Sequence, residues 1–246
     1  MVKKTLLALL ALLMTASVAM AEKVVVIAHD ATWPPMEFVD KDKNIVGYSV
    51  DYMDAIAKET GITVKHENVA WDGIFAGLAA GKYDMIASSV SITEERKKKF
   101  DFSAPYFEVK QGVIVPADST ATSLADLKGQ TVGGQLGTTG VFVAKKDGGV
   151  VSKEFDEVGH AVEALYTGRI GAVICDDITA FDYVLNNEKY SSKLKVGFIV
   201  EAEEKEYYGF VVKKGNTELL DILNKGIEAV RSKGIEKELR EKWVGK

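Results

Sequence analysis

The chain is poor in the residues that build disulfide frameworks and metal centres. It contains one cysteine, Cys175, and three histidines, His29, His66 and His160. A single cysteine excludes an intrachain disulfide and a cysteine-based zinc site. The histidines are scattered without the spacing of metal ligands, so each is expected to be structural or exposed. We therefore expect neither a metal nor a cofactor.

An excess of basic residues is also missing. Lys and Arg total 31 against 36 Asp and Glu, which gives a formal net charge of −5. Proteins that bind nucleic acid normally present a basic face, so this balance argues against that class. Hydrophobic residues make up 47% of the 246 and charged residues 27%, which excludes a disordered chain. The length fits one large domain or two small ones.

Long apolar runs are absent except near the start of the chain. Lys3 and Lys4 precede nine apolar residues, 6–14, and small residues follow up to Ala21. This order is typical of a secretory signal peptide, whereas a membrane anchor needs about 20 apolar residues. We predict that residues 1–21 are cleaved and that the product is exported to the periplasm. The segment contains two lysines and no acid, so the remaining 225 residues would carry a net charge of −7.

The motifs of several common enzyme classes are missing as well. The sequence has no HExxH, CxxC or GxSxG motif and no Walker-type phosphate loop, and Gly133-Gly134 lacks the spacing of the dinucleotide fingerprint. We therefore do not expect an enzyme, although a missing motif does not exclude one.

What is present is an alternation of strands and amphipathic helices. The predicted strands span residues 24–28, 62–64, 85–87, 131–134, 155–158, 172–175, 196–200 and 208–212. The predicted helices span 50–57 (ended by Gly61), 74–79, a segment from about 140, 161–167, 178–185 and the C-terminal tail. A β-α-β-α-β order that occurs twice predicts two α/β lobes with parallel sheets and helices on their faces.

Two hydroxyl-rich turns follow predicted strands, one in each lobe. In the first, residues 88–96, Ser91 and Glu94 have the spacing of a capping box. Arg96 lies on the first turn of the helix that follows, where a guanidinium and free backbone N–H groups together suit a carboxylate. The second turn is residues 135–140. Ligands of open α/β sheets bind beyond the carboxyl ends of the strands, so both turns are expected to face a ligand.

The sequence resembles the bacterial extracellular solute-binding proteins of family 3, the polar amino-acid receptors of ABC importers. The similarity runs over essentially all of the chain after the signal segment and depends on the order of several short motifs. These are HDATWPPMEF (29–38), VGYSVD (46–51), WDG (71–73), SSVSITEER (88–96), FDFSAPY (100–106), SLADLKG (123–129), LGTT (136–139), YYG (207–209) and KWVG (242–245).

The resemblance implies a type II periplasmic-binding-protein fold, a two-lobed α/β clamshell. Each lobe would be a mixed, mostly parallel sheet flanked by helices. The first lobe would comprise residues 22–108 and 206–246, and the second residues 109–205.

By the same resemblance, Arg96 would hold the α-carboxylate of a free amino acid, with the backbone N–H groups of Ser91 and Thr139. Asp176 and Ser89 would hold the α-ammonium, with support from the Ser91 hydroxyl. A zwitterion needs one fixed cation and one fixed anion at adjacent points, which agrees with this assignment. Taken alone, Asp176 could instead cap the helix that follows it.

The side-chain pocket implied by the resemblance is lined by Asp30, Trp33, Trp71, Ser88 and Gln135. Two tryptophans and one acid suit a planar guanidinium. Arginine is therefore the first candidate ligand, with lysine, ornithine and histidine next, and glutamine remains open. The alternative role for the tryptophans is core packing. Cys175, beside Asp176, either contacts the ligand or is a buried, unreactive thiol.

The implied function is capture of a free amino acid by hinge closure and its delivery to an ABC importer permease in the inner membrane. The protein is expected to act as a monomer. One alternative is an enzyme similar to the periplasmic cyclohexadienyl dehydratases, with Asp30 or Asp176 as general acid. The other is a separate subunit that passes a ligand-induced shape change to a membrane sensor.

Overall fold

The computed structural model describes residues 24–245. The predicted signal peptide, residues 1–21, lies outside this range. Two five-stranded sheets, each covered by helices, form a two-lobed α/β clamshell, which confirms the predicted fold class. No helix within the described range is both long and apolar enough to cross a membrane.

The strands and helices are numbered along the chain. The strands are β1 (Val24–His29), β2 (Thr32–Trp33), β3 (Glu37–Val39), β4 (Ile45–Val46), β5 (Thr63–Asn68), β6 (Met85–Ile86), β7 (Phe100–Phe102), β8 (Phe107–Val109), β9 (Gln111–Pro116), β10 (Thr131–Gln135), β11 (Val151–Phe155), β12 (Ala172–Asp176), β13 (Leu194–Val200), β14 (Glu206–Tyr208) and β15 (Val211–Lys213). The helices are α1 (Tyr48–Thr60), α2 (Ile74–Ala79), α3 (Glu94–Lys97), α4 (Thr139–Asp147), α5 (Val158–Tyr166), α6 (Asp177–Leu185), α7 (Glu188–Ser191), α8 (Thr217–Ser232) and α9 (Ile235–Trp243).

The first sheet has the strand order β5-β1-β6-β15-β7. Strands β5, β1 and β6 are parallel, and β15 returns antiparallel between β6 and β7. Helices α1 and α8 cover one face, where Ile56 packs among Leu223 and Ile227. Gly226 allows the close approach, because a Cβ there would lie 2.5 Å from Ile56 Cγ2. As predicted, α1 ends at Gly61, which adopts the left-handed conformation.

The second sheet has the order β11-β10-β12-β9-β13. Strands β10, β11 and β12 are parallel, whereas β9 runs antiparallel to both β12 and β13. Every residue of β12 is buried, as expected for a central strand with helices on both faces. The carboxyl ends of β10 and β12 therefore bring Gln135 and Asp176 to one edge of the sheet.

A short antiparallel ribbon, β8 with β14, lies where the chain passes from one sheet to the other and back. The predicted lobe limits, at 108/109 and 205/206, fall in or beside this ribbon. They stay a prediction.

Three predictions of local structure were wrong. The strand predicted at 155–158 is β11, residues 151–155, and Val158 begins helix α5 instead. The strand predicted at 208–212 is two strands, β14 and β15, that belong to different sheets. Strand β9 was missed, and with it the antiparallel pairing at the centre of the second sheet. The other predicted helices and strands are present, with ends shifted by a few residues.

Candidate functional site

A cavity lies between the two sheets, at the carboxyl ends of their parallel strands. It is narrow, with a volume of about 10 Å³, which is room for about one water molecule. Its lining residues come from both lobes: Trp33, Trp71, Ser88, Ser89, Ser91, Arg96, Thr138, Thr139 and Asp176. Eight of the ten residues predicted to bind the ligand are on this wall. Asp30 and Gln135 lie behind it.

Arg96 crosses the cavity from the first lobe to the second. Its Nη1 donates to Ser91 O at 2.9 Å and its Nη2 to Gly137 O at 3.1 Å. The guanidinium lies over the ring of Trp71, with 5.6 Å between Cζ and the ring centroid. Burial lowers the pKa of Arg96 to about 10, so the side chain stays charged at neutral pH. A guanidinium has five N–H donors, and these two bonds leave donors to grip a carboxylate.

Helix α3, which carries Arg96, begins two residues later than the capping-box spacing predicts. Its N-cap is Thr93, whose Oγ1 accepts from the Arg96 backbone N–H at 3.2 Å. Ser91 is therefore free of the capping role, and it lies on the cavity wall instead. The consequence is that Ser91 can offer its hydroxyl and backbone to a ligand.

Asp176 is the carboxyl group of the cavity wall and comes from the second lobe. Its Oδ1 accepts from Gln111 Nε2 at 2.6 Å, and its Oδ2 from the Tyr208 hydroxyl at 2.5 Å. Asp176 occupies the N-cap position of α6, but its side chain makes no capping hydrogen bond. Burial, and after it the nearby carboxylate of Glu206, raises the pKa of Asp176 to about 7.

Asp30 and Gln135 join the lobes behind Trp33. Gln135 Nε2 donates to Asp30 Oδ2 at 2.8 Å, and Trp33 Nε1 donates to Gln135 Oε1 at 2.5 Å. Thr32 Oγ1 donates to the other oxygen of Asp30 at 2.9 Å. Burial raises the pKa of Asp30. A ligand cation that reached Asp30 would therefore share its carboxylate with the Gln135 amide.

The two tryptophans both wall the cavity and pack in a core. Trp33 belongs to an apolar cluster with Val158 and Cys175, and Trp71 to one with Ile74 and Leu78. Trp71 Nε1 also donates to Leu136 O at 2.9 Å, across the cleft. Together with the bonds of Arg96 and Gln135, this contact describes a closed clamshell. The thiol of Cys175 is buried away from the cavity, and burial raises its pKa well above the usual range.

The serine turn is held by buried partners. Ser88 Oγ accepts from the Asp30 backbone N–H at 2.7 Å. Ser89 has a φ of 46° and donates from Oγ to Glu37 Oε2 at 3.1 Å. Glu37 is fully buried, and burial raises its pKa well above the usual range. Ser89 therefore faces the cavity with its hydroxyl already anchored to a carboxyl beneath it.

Several residues that shape the site were not singled out from the sequence. They are Glu37, Gln111, Thr138, Glu206 and Tyr208. Thr138 lies within the turn 135–140, and its Oγ1 donates to Gln135 O at 2.7 Å. Gln111, Glu206 and Tyr208 reach Asp176 only through strands β9 and β14. Among the described residues, no group of three His, Cys, Asp or Glu side chains is placed to hold a metal ion.

Comparison with known proteins gives consistent results. The family model "Bacterial extracellular solute-binding proteins, family 3" matches residues 25–246. A probable histidine-binding protein of Neisseria gonorrhoeae is 33% identical over 91% of this chain and 84% of its own length. The L-cystine-binding protein TcyJ of Escherichia coli K12 is 32% identical over 88% of this chain and 80% of its own length.

A solved structure is similar over almost the whole fold. The arginine-, lysine-, histidine-binding protein ArtJ of Geobacillus stearothermophilus superposes with a TM-score of 0.84 and 38% identity, covering 91% of this chain and 96% of that one. The motifs quoted above, the clamshell fold and the family match all agree. This chain belongs to family 3 of the bacterial extracellular solute-binding proteins.

Proposed function

We propose that the protein is a periplasmic receptor that captures a free amino acid, with arginine and the other basic amino acids as its preferred ligands. One observation carries this proposal. Arg96 of the first lobe and Asp176 of the second face the same cavity. A fixed cation and a fixed anion on opposite walls match the α-carboxylate and α-ammonium of a zwitterion.

The lobes divide the work of binding. Arg96 donates two parallel hydrogen bonds to the α-carboxylate, and the backbone N–H of Thr139, at the start of α4, adds a donor. Asp176 receives the α-ammonium, with the hydroxyls of Ser89 and Ser91 nearby. Because these groups come from both lobes, the ligand contacts them together only in the closed state. The ligand therefore favours closure by its higher affinity for that state.

Preference for a basic side chain is supported by the group behind Trp33. Asp30 offers a buried carboxylate. A cation over an indole face is stabilised by up to about 2 kcal/mol when both groups are desolvated. Of the similar proteins described above, one is named as a probable histidine-binding protein and another as an arginine-, lysine-, histidine-binding protein. Glutamine and cystine are the alternatives: the Asp30–Gln135 pair can also accept an amide, and a cystine-binding protein is among the relatives.

Export and delivery complete the proposal. The segment 1–21 would direct the chain to the periplasm and be removed there. Relatives in the same family are named as binding proteins of ABC transporters. The closed protein would accordingly present its amino acid to an ABC importer permease.

A thermal-shift screen tests the function. The purified protein is titrated with each of the twenty amino acids, ornithine, citrulline, cystine and prephenate. A ligand present at 100 times its Kd stabilises the folded state by about 2.7 kcal/mol, which raises Tm by several degrees. We expect arginine to give the largest shift. A chain that no amino acid stabilises would contradict the receptor proposal.

The screen also separates the receptor from an enzyme on this fold. The observation that favours an enzyme is Asp176, a carboxyl on the cavity wall whose pKa of about 7 suits a general acid. The receptor proposal assigns the same carboxyl to the ligand ammonium. Conversion of prephenate, followed by absorbance, would favour the enzyme, whereas stabilisation by amino acids without turnover favours the receptor.

A further inference from the structure

Behind Asp176 lies a second carboxylate that the proposed function does not use. Glu206, at the start of β14, reaches the same amide nitrogen as Asp176: Gln111 Nε2 lies 2.9 Å from Glu206 Oε2 and 2.6 Å from Asp176 Oδ1. Thr139 Oγ1 lies 3.2 Å from that nitrogen. The three acceptors share one NH₂ group, which has only two hydrogens. The two carboxylates are therefore held close together with too few donors between them.

The charge around the pair is unbalanced. Gln111 is 5% exposed and Asp176 3% exposed, and Glu206 Oε1 is buried with no hydrogen-bond partner among the described residues. The ionisable groups that face Asp176 from its own strand and from the elements packed against it are Glu206, Tyr208, Arg96, Glu37, Cys175 and Asp177. Of these only Arg96 is a cation, and it donates to the backbone carbonyls of Ser91 and Gly137. A buried carboxyl beside a second, half-buried carboxylate, with one cation that already binds backbone carbonyls, favours retention of a proton.

The arriving ligand changes this balance. The α-ammonium supplies a positive charge beside Asp176, which favours the ionised carboxylate. Gln111 and Glu206 also line a cleft open to solvent on the side of the β8–β14 ribbon, so a proton that leaves the pair has a route to water.

We propose that Glu206 is a positioning residue for amino-acid binding, which acts through Gln111 so that Asp176 releases a proton when the α-ammonium enters. This inference rests on the proposed function. In the step, the O–H bond of the Asp176 carboxyl breaks, the proton passes to the buffer, and the carboxylate pairs with the ammonium. No other bond changes. Affinity is then linked to pH and falls as acid keeps Asp176 protonated.

The direction and size of the pH effect on affinity follow from the linkage between proton and ligand binding. Asp176, with a pKa of about 7 when the ligand is absent, is ionised at pH 8 and mostly protonated at pH 5.5. Binding at pH 5.5 must expel the proton, so the affinity falls by roughly 30-fold between pH 8 and pH 5.5. At pH 6.5 binding releases about 0.8 proton per ligand.

Isothermal titration calorimetry with L-arginine and L-glutamine tests the inference, because neither side chain titrates between pH 5.5 and 8. Titrations at pH 6.5 in phosphate and in Bis-Tris give the number of protons released. Glu206→Gln removes the second charge, so the affinity should fall by less than about tenfold over the same pH range. Gln111→Met keeps the volume but removes the shared donor, and the decline should begin at a higher pH.

Glu108→Gln is the matched control. Glu108 lies on the neighbouring strand of the ribbon and is paired with Lys205 at 3.0 Å on the exposed side, so its loss should leave the pH profile unchanged. Opposite shifts in the Glu206 and Gln111 variants support the inference, and either shift alone suffices if the other variant fails to fold. Affinity that does not depend on pH, or equal pH profiles in all foldable variants, would overturn the inference and leave the receptor function standing. If the wild-type protein binds neither amino acid at pH 8, both the receptor function and this inference are wrong.

Discussion

Replacement of Arg96 probes the grip on the α-carboxylate. In the structure the guanidinium uses Nη1 and Nη2 to bridge Ser91 O and Gly137 O, and it lies over Trp71. Lysine keeps the charge but has no planar fork, so Arg96→Lys cannot form two parallel hydrogen bonds to a carboxylate. Arg96→Ala removes the charge as well and leaves the ligand carboxylate buried without a cation.

The magnitudes differ between the two variants. Loss of one charge-assisted hydrogen bond costs about 1.5–3 kcal/mol, so Arg96→Lys should raise Kd roughly 10- to 150-fold. An unpaired charge in the closed site costs about 2–5 kcal/mol, so Arg96→Ala should raise Kd by roughly 30- to 5,000-fold and more than the lysine variant does. Both figures are effects on Kd and not on folding, because Arg96 is half-buried and lies outside the apolar clusters.

Calorimetry at pH 8 with L-arginine measures both variants, and a thermal melt without ligand checks their folding. Arg169→Lys is the matched control, since Arg169 is exposed and its Nε donates to Thr167 Oγ1 on the surface of the second lobe. The control should bind as the wild type does. An Arg96→Ala protein that folds and keeps its affinity within threefold would refute the assignment of the carboxylate site.

Two further variants test the side-chain pocket and the contact behind it. Asp30→Asn removes the buried carboxylate and should weaken the binding of arginine, measured by calorimetry, much more than the binding of glutamine. Asp156 is an exposed acid nearby, so Asp156→Asn should change neither affinity. Equal losses of affinity for the two ligands would remove the basis for a basic preference. Trp33→Phe removes the donor to Gln135 Oε1 and should raise Kd up to about tenfold by weakening closure. Trp243→Phe, which loses a similar bond to Asp51 on the outer surface of the first lobe, should lower Tm without changing Kd, and equal affinities for the two tryptophan variants would speak against the Gln135 contact.

Parts of the site were predictable because they are contiguous in sequence. The turn 88–96 carries its serines and Arg96 within nine residues, and the turn 135–140 opens helix α4. A strand that ends in hydroxyls and leads into a helix places those groups at the sheet edge, whatever the rest of the fold does. The apolar run of β12 likewise places Asp176 at the end of a buried strand.

The remaining site residues depend on pairings that no local pattern shows. Gln111 and Asp176 are 65 residues apart, and Gln111 and Glu206 are 95 apart. They meet because β9 runs antiparallel beside β12, and β9 was the strand missed in the sequence. Glu37 was visible in the motif 29–38, but nothing there shows that Ser89 would anchor to it from 52 residues away.

One error had a local cause. Phe155 and Val158 are apolar residues that flank two acids and were assigned to one strand, but Val158 packs on the core from the first turn of α5. Glu157 occupies the N-cap position there, so the chain leaves the sheet at Phe155. The four residues span the junction of two elements, and so short a segment shows no periodicity that could separate the strand from the helix.

The central claim is that Arg96 and Asp176 hold the two charged ends of one amino acid. Calorimetry of the unaltered protein with L-arginine, agmatine and 5-guanidinovalerate at pH 8 tests it most directly. Agmatine lacks the carboxylate and 5-guanidinovalerate lacks the ammonium, while both keep the guanidinium. We predict that each analogue binds at least about 30-fold more weakly than arginine, because each leaves one buried charge unpaired. An analogue that binds as tightly as arginine would contradict the account.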